Sequence, residues 1–364
     1  MKKVICMGES ILSPLGETVT ENFEAVLRGE SALQLHAGTF GVKEPFVGSL
    51  MDRSRWQVSG LSFFDSIVVE AARRAVEAAG IDPASPRTAF VLSSIKGNIE
   101  HIGTQDVTLA ASARKLVDAF GNPNPPVVVS NACISGLAAL LQGRRMLLGG
   151  GLDHVVVVGA EVQSRFIVTG FQSLKALSEA PCKPFDAHRD GLNLGEAAAA
   201  VVLGFGNTGW ELVDGAVRND ANHISGPSRT GEGSYKALRY VLRHIAPEEL
   251  AFVNVHGTST LYNDEMESIA IDRAGLIDVP VNALKGYFGH TMGAAGILES
   301  ILSMRAVDAG IVLPTRGFTE LGVSRPVKVS AEAGVTDRKA FVKLLSGFGG
   351  VNGVLLFRKG GPTC

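Results

Sequence analysis

Apolar runs alternate with amphipathic stretches along nearly the whole chain. Short continuous apolar runs predict strands at residues 4–8, 88–92, 125–129, 155–160, 252–255, 340–345 and 354–357, and a further apolar run covers 197–205. Apolar residues at helical spacing predict helices at residues 20–29, 64–79, 107–120, 137–148, 235–245, 265–274 and 293–309, the first capped by Thr20. Because strands and helices alternate throughout, we expect an α/β protein with mostly parallel sheets covered by helices.

The alternation occurs twice, which indicates two comparable halves. A boundary near Gly206 and Asn207 separates residues 1–206 from residues 207–364. A chain of 364 residues is long enough for one large domain or two ordinary ones with well-buried cores.

Composition and charge exclude several classes of function. A formal net charge of −2 gives no reason to expect binding to nucleic acid or to a membrane surface. No apolar run approaches the length of about 20 residues that a membrane-spanning helix needs. The four cysteines, Cys6, Cys133, Cys182 and Cys364, are too scattered for a zinc site or a disulfide framework. We therefore expect a protein of the reducing cytoplasm with no membrane insertion and no bound metal.

Cys133 lies between the predicted strand at 125–129 and the predicted helix at 137–148. At the start of a helix, free N–H groups and the helix dipole favour a thiolate, so we expect a lowered thiol pKa. The small residues around Cys133 leave room for a ligand. An isolated cysteine in such a segment is more often an inert buried residue, so Cys133 needs reactive partners to count as a nucleophile.

Two histidines supply such partners. His256 directly follows the predicted strand at 252–255, and His290 precedes a helix rich in glycine and alanine. Reactive groups converge at the strand ends of α/β sheets. A lone histidine there is more often structural, but two histidines and a cysteine at comparable strand-to-helix junctions favour a shared site.

Two other motifs are weaker. The glycine-rich segment 347–353 has the wrong spacing for a dinucleotide loop, and a tight turn whose backbone approaches a ligand is the better interpretation. The segment 186–191 is similar to the start of a calcium loop, but Ala197 stands where that loop needs a glutamate.

Together these motifs identify a resemblance to the β-ketoacyl-acyl carrier protein synthases, of the elongating type with a Cys-His-His triad. The second histidine argues against the initiating ketosynthases, which have asparagine there. The matching segments are Gly8…Ser13-Pro14-Leu15-Gly16, Ala132-Cys133, Pro184-Phe185-Asp186…Arg189-Asp190-Gly191…Gly195-Glu196, His256-Gly257-Thr258-Ser259-Thr260…Asn263-Asp264…Glu267, Lys285…Gly289-His290…Gly293-Ala294-Ala295-Gly296 and Gly347-Phe348-Gly349-Gly350.

The resemblance implies a thiolase-like fold, with two similar halves in a layered αβαβα arrangement. The N-terminal half would carry the nucleophile Cys133, and the C-terminal half would carry His256 and His290, which would stabilise the enolate formed when the malonyl group loses CO2. Further roles come from the same resemblance. Lys285, Glu267 and Asp264 would order the second histidine and its surroundings, Cys133, Phe348 and Gly349 would form the oxyanion hole and gate, and Thr258 and Thr260 would contact pantetheine.

The implied reaction is a decarboxylative Claisen condensation in fatty-acid synthesis or in specialised polyketide or aryl-polyene synthesis. The substrates would be carried on the 4′-phosphopantetheine of acyl carrier protein, and the enzyme itself would bind no cofactor. A homodimer is expected, with a heterodimer as the alternative.

Two other functions stay open. A chain-length-factor-like partner subunit would be non-condensing; the short chain favours it and the retained Cys133 opposes it. A thiolase or hydrolase would carry a second cysteine near the C-terminal glycine-rich turn, where this chain has Gly347, Phe348 and Gly349.

Overall fold

The computed structural model describes residues 2–104 and 106–360, so Cys364 lies outside the described residues. The strands are β1 (Lys3–Leu12), β2 (Gln34–His36), β3 (Phe46–Ser49), β4 (Thr88–Ser93), β5 (Val127–Val129), β6 (His154–Glu161), β7 (Leu194–Gly195), β8 (Ala197–Gly206), β9 (Gly209–Asn219), β10 (Leu250–Asn254), β11 (Val281–Asn282), β12 (Ile311–Val312), β13 (Gly334–Val335), β14 (Ala340–Gly347) and β15 (Val351–Gly360). The α-helices are α1 (Val19–Leu27), α2 (Phe63–Ala79), α3 (Leu109–Ala119), α4 (Ser135–Leu148), α5 (Arg165–Ser173), α6 (Glu232–Val241), α7 (Leu261–Arg273), α8 (Lys285–Phe288) and α9 (Ala295–Asp308).

One ten-stranded sheet runs through both halves in the order β11-β10-β14-β15-β9-β1-β8-β6-β4-β5. Its outer strands pair in parallel, but β1, β8, β9 and β15 pair with their neighbours in antiparallel fashion. The expectation of mostly parallel sheets is therefore wrong. Antiparallel strands buried on both faces have the same continuous apolar sequence as parallel ones, so the apolar runs did not distinguish them.

The two halves repeat one topology. Counted from the middle of the sheet, the first half contributes β1, β8, β6, β4 and β5, and the second half contributes β9, β15, β14, β10 and β11 in the corresponding chain order. Only two residue pairs, Ile5 with Glu211 and Cys6 with Trp210, join β1 to β9. We propose the division at residues 206 and 207 on this basis, because β8 ends at Gly206 and β9 begins at Gly209.

The layers follow from the two-residue alternation of the strands. In β6, Val155 and Val157 face a cluster built around α4 and α9, whereas Val156 and Val158 face α2 and α3. Strands of the second half contact α4 and α9 on one face and pack against α6 and α7 on the other. Five layers result. In order they are the helix pair α2/α3, the first half of the sheet, the helix pair α4/α9, the second half of the sheet and the helix pair α6/α7, which is the thiolase-like arrangement.

Helices α4 and α9 meet through glycines in the central layer. A Cβ on Gly296 would lie 2.2 Å from the main-chain nitrogen of Leu137, and one on Gly136 would lie 2.7 Å from the carbonyl oxygen of Gly293. Both contacts are too short for any side chain, so only glycine permits this approach. The approach brings the start of α4 and the start of α9 side by side, where Cys133 and His290 lie.

Most predicted elements are confirmed with small shifts at their ends. The first helix is capped by Thr18 instead of Thr20: its hydroxyl accepts the N–H of Glu21, whose carboxylate in turn accepts the N–H of Thr18. Strand β9 and helix α5 had no clear sequence signal. None of the described helices has the length and apolar character needed to cross a bilayer.

Candidate active site

Cys133 lies in the turn between β5 and α4 and is 7% exposed. The residue before it, Ala132, adopts the left-handed conformation with φ of 46°, which is uncommon for a residue with a side chain. Ser135 stabilises this turn, because its hydroxyl donates to the Ala132 carbonyl at 2.6 Å and accepts the Asn131 N–H at 2.7 Å. Backbone strain supported in this way is typical of functional sites.

His256 follows β10, in a loop whose backbone is held by a buried carboxylate. Glu267 of α7 accepts the N–H of His256 at 2.7 Å and the N–H of Gly257 at 2.8 Å. Asn263 donates to the same carboxylate at 2.8 Å. Burial and the neighbouring Asp264 raise the pKa of Glu267 to about 7. Glu267 therefore fixes the main chain of the first histidine, His256, and not of the second histidine, for which the resemblance implied it.

Asp264 anchors the following residues in the same way. Its carboxylate accepts the N–H of Thr258 at 3.0 Å and the N–H of Phe185 at 2.8 Å. The hydroxyls of Thr258 and Thr260 are 2.9 Å apart, and Thr260 caps α7. These two hydroxyls lie in the loop that carries His256.

His290 lies between α8 and α9, and its main-chain N–H donates to the Asn193 carbonyl at 2.7 Å. The Met292 N–H donates to His290 Nδ1 at 3.3 Å, so the neutral ring carries its proton on Nε2. The next loop residue, Gly293, donates its N–H to the Glu161 carboxylate at 3.1 Å. Glu161 also accepts the N–H groups of Ile95 and Lys96, which ties the second histidine loop to the segment after β4.

These loops bring Cys133, His256 and His290 together. One sulfur or nitrogen atom from each lies within 4.8 Å of the other two, and all three side chains are buried. The imidazole centroids are 5.0 Å apart with an interplanar angle of 82°. His256 Nδ1 and His290 Nε2 are buried and have no hydrogen-bond partner among the described residues. His290 Nε2 thus offers a free donor to a bound substrate.

Two buried lysines, Lys285 and Lys343, place positive charge near the cluster of Cys133, His256 and His290. Lys285 Nζ lies 2.9 Å from Glu299, and Lys343 contacts the other oxygen of the same carboxylate. Burial, Lys285 and Lys343 hold the pKa of both histidines well below the usual value, so the imidazoles are neutral at physiological pH. The same positive charge disfavours a metal cation, although a thiol and two imidazoles are common ligands.

The Cys133 thiol differs from the expectation of a lowered pKa. Burial raises the pKa of Cys133 to about 11, and the opposing effects of Lys285 and of the Phe348 N–H are smaller. The prediction from the helix start alone is wrong, because desolvation of the thiolate outweighs the nearby dipoles. The resting nucleophile is a thiol.

The glycine-rich turn between β14 and β15 approaches the nucleophile. The N–H groups of Phe348 and Cys133 both act to lower the pKa of the Cys133 thiol, against the larger effect of burial. A Cβ on Gly347 would lie 3.0 Å from the Cys133 nitrogen, and Gly349 has φ of 86°. Phe348 is 37% exposed, and its ring stacks on that of Phe171 with the two centroids 5.9 Å apart. The turn therefore presents an N–H donor inside and an aromatic ring at the opening.

Three buried charged residues at this site were not predicted: Lys343, Glu299 and Glu161. Lys343 and Glu299 lie in segments assigned from their apolar character, strand 340–345 and helix 293–309, and Glu161 directly follows the predicted strand 155–160. A charged residue inside a buried apolar element is itself a signal, since such groups need a partner.

Comparison with known proteins places the chain among condensing enzymes. The family model described as beta-ketoacyl synthase, N-terminal domain, matches residues 54–205, and the model described as beta-ketoacyl synthase, C-terminal domain, matches residues 210–319. Among curated relatives, 3-oxoacyl-[acyl-carrier-protein] synthase 2 of Vibrio cholerae is 28% identical over 412 residues, covering 98% of this chain and 99% of the relative. The protein of the same name from Rhizobium meliloti is 31% identical over 277 residues, covering 70% of this chain and 65% of the relative.

Solved structures agree. A beta-ketoacyl synthase from Burkholderia phymatum matches 99% of this chain and 100% of that chain, with a TM-score of 0.89 and 25% identity. The ishigamide ketosynthase/chain length factor gives the same TM-score and coverage with 24% identity, a likeness of fold.

Proposed function

Because this chain belongs to the β-ketoacyl synthase family, we propose that it is an elongating 3-oxoacyl-[acyl carrier protein] synthase. The observation that carries the proposal is the buried cluster of Cys133, His256 and His290. A thiol beside two neutral imidazoles suits a reaction that needs a nucleophile for acyl transfer and donors for an enolate oxygen.

In the first step Cys133 takes the acyl chain. The sulfur attacks the thioester carbonyl, and the C–S bond to pantetheine breaks. Because the pKa of Cys133 is raised to about 11, the thiol proton must leave during the attack; a neutral imidazole accepts it and returns it to the departing pantetheine thiolate. The N–H groups of Cys133 and Phe348 would stabilise the tetrahedral oxyanion.

In the second step the malonyl thioester loses CO2 and becomes an enolate. His290 Nε2–H and His256 would donate hydrogen bonds to its oxygen, and the N–H of His290 is kept on Nε2 by the Met292 contact. The enolate carbon then attacks the acyl-Cys133 carbonyl. The C–S bond breaks, the thiolate takes up a proton, and the 3-oxoacyl thioester leaves.

Substrate delivery would occur on the 4′-phosphopantetheine of acyl carrier protein. Thr258 and Thr260 lie in the loop of His256, and their paired hydroxyls could bond to the amide groups of pantetheine. The enzyme itself would bind no cofactor, and we place it in the cytoplasm.

A homodimer is the proposed assembly, with a heterodimer of two ketosynthase-like chains as the alternative. The described edge strand β5 pairs with β4 on one side only, and Val128 is 36% exposed. An open, apolar edge strand is suited to pairing with a second chain.

A chain-length-factor-like role is the second candidate. A ketosynthase complexed with its chain length factor from Xenorhabdus doucetiae shares the fold, with a TM-score of 0.88 and 23% identity. The presence of the thiol and both imidazoles favours the condensing role.

Product formation tests the proposal. Purified protein is incubated with acyl-acyl carrier protein and malonyl-acyl carrier protein, and the carrier-bound product is identified by mass. We expect a 3-oxoacyl product two carbons longer with wild type and none with Cys133→Ala. Wild type that is inactive alone is then mixed with a second ketosynthase subunit. If that complex forms product equally well with Cys133→Ala in place of wild type, condensation by this chain is contradicted.

A further inference from the structure

Lys343 is a buried cation that the reaction scheme above does not use. It lies in β14, where the flanking positions are the apolar core residues Val342 and Leu344, and its side chain is fully buried. Removing an ammonium from water is costly, so a lysine at such a position must be well compensated.

Each of the three N–H groups of the Lys343 ammonium has a hydrogen-bond acceptor. Nζ donates to Asn254 Oδ1 at 2.6 Å, to the Val255 carbonyl at 3.2 Å, and to Glu299. Asn254 is the last residue of β10, and Val255 follows it directly before His256. The ammonium therefore joins the strand that carries the first histidine to the helix α9 that follows the second.

Glu299 links Lys343 to Lys285. One carboxylate oxygen accepts from Lys343 and the other accepts from Lys285 at 2.9 Å. Within the described chain, Glu299 is the hydrogen-bond acceptor found for Lys285, so the remaining N–H groups of Lys285 are free to face the site. The charge of Lys285 acts on Cys133, His256 and His290.

The charge balance distinguishes this arrangement from an ordinary ion pair. Lys285 and Glu299 alone would be neutral overall, whereas the second lysine gives the three residues a net charge of +1. The excess charge lies in the core and disfavours the charged form of two imidazoles, one of which must be neutral to accept the Cys133 proton in the proposed first step.

We propose that Lys343 is a positioning residue for the condensation. Its ammonium fixes the Glu299 carboxylate, which orients Lys285 toward Cys133, and its charge disfavours protonation of His256 and His290. The inference rests on the proposed function, because it concerns the efficiency and pH range of that reaction.

Other charged groups face Lys343 from the elements packed around it. Glu299 comes from α9, Lys285 from α8 and Glu267 from α7, while Asn254 at the end of β10 and Val255 after it contribute neutral acceptors. Burial and Lys285 lower the pKa of Lys343 to about 8 against the opposing effects of Glu299 and Glu267, so the ammonium is mostly charged at neutral pH.

Two substitutions separate charge from hydrogen bonding. Lys343→Gln removes the charge but keeps an N–H donor for Asn254 or Val255, which favours folding. Lys343→Arg keeps the charge. Lys359→Gln is the matched control, because Lys359 also pairs with a carboxylate, Asp308, but lies partly exposed near the end of β15.

The measurement is the pH dependence of kcat and KM for condensation, together with the rate of Cys133 acylation. For Lys343→Gln we expect kcat to fall about tenfold or more with KM for malonyl-acyl carrier protein little changed, since the carrier protein does not touch Lys343. The acid limb of kcat should move to higher pH by roughly 0.5–1 unit, because loss of a nearby cation raises the pKa of the imidazoles. Lys343→Arg should keep the acid limb at its wild-type position, and Lys359→Gln should match wild type.

An acid limb that stays in place in Lys343→Gln would overturn the proposal, as would an equal shift in Lys343→Arg. If Lys343→Gln does not fold, Lys343→Met takes its place, because it also removes the charge and is close to lysine in size; an acid limb at the wild-type position in Lys343→Met would then overturn the proposal. Failure of the proposed function is recognised separately, as a wild type that forms no 3-oxoacyl product under any condition.

Discussion

At the scale of single residues, the nucleophile and both imidazoles are uncharged in the resting site. Burial disfavours the thiolate and the imidazolium alike, and the lysines add to the effect on the histidines. A buried thiol is a weaker nucleophile than a thiolate, so its attack on a thioester needs a base, which a neutral imidazole supplies. Protection of the resting cysteine from adventitious electrophiles follows from the same arrangement.

Alkylation of Cys133 tests its protonation state. Because burial raises the pKa of Cys133 to about 11, only a small fraction is thiolate at pH 7, and the rate should rise about tenfold per pH unit up to pH 10. Iodoacetamide modification followed by intact mass, with Cys133→Ala subtracting the other cysteines, measures this. A rate that levels off below pH 8 would show a stabilised thiolate instead.

Loss of the second imidazole should affect the enolate step. His290→Ala removes the Nε2–H donor, and loss of one such donor typically lowers the rate by about 10²–10³. We expect kcat for condensation to fall by that amount, with acylation of Cys133 less affected. Stopped assays of malonyl decarboxylation and of acyl transfer, run side by side, separate the steps, and equal losses in both would contradict the assigned role.

At the scale of elements, carboxylates hold the strand-end loops. Glu267 binds the main chain of the His256 loop, and Glu161 binds the main chain beyond His290 together with the segment after β4. Because these contacts go to backbone N–H groups, they fix loop shape whatever the neighbouring side chains are. The rigid strand and helix ends thereby hold Cys133, His256 and His290, which are far apart in sequence, close to one another.

Close packing of α4 against α9 can be tested with one methyl group. Gly296→Ala would place a Cβ 2.2 Å from the Leu137 nitrogen, so the helices must separate. We expect a loss of about 1–3 kcal/mol in the free energy of unfolding and a large loss of activity. Gly149→Ala, at the end of α4 where the nearest contacts are 3.4 Å, is the control and should change neither. A stable, active Gly296→Ala protein would show that the glycine contact does not set the site.

The helices and strands could be predicted from the sequence more accurately than the buried contacts, pKa values and strand directions. The valine run of β6 and the helical spacing of α2 are strong local patterns, and Cys133, His256 and His290 stand at strand-to-helix junctions that such patterns reveal. The thiol pKa and the Lys343–Glu299 contact depend on burial and on residues 44 positions apart in sequence, which no local pattern encodes. Strand direction was missed for the same reason, since pairing is a property of the assembled sheet.

At the scale of the whole molecule, the repeated half explains where the site forms. Each half has a set of strand ends and one helix of the central layer. The pairing of α4 with α9 brings the strand ends of the two halves next to each other. Neither half could form the site alone, because Cys133 belongs to the first and both histidines to the second.

The open edge at β5 leads to a prediction about assembly. If β5 pairs with its counterpart in a second chain, Val128→Lys should convert a dimer to a monomer, since charged residues on an edge strand oppose pairing. Light scattering coupled to size-exclusion chromatography measures the mass, and Val335→Lys, at a 93% exposed position in β13, is the control. A wild type that is already monomeric, or a dimeric Val128→Lys, would contradict this assembly.

The most direct test of the central claim is the intact mass of the protein after incubation with a panel of acyl-acyl carrier proteins, wild type beside Cys133→Ala. We expect an adduct of the acyl group alone on wild type, released when malonyl-acyl carrier protein is added, and no adduct on Cys133→Ala. An adduct that persists in Cys133→Ala, or the absence of any adduct across the panel, would contradict an acyl-enzyme built on Cys133.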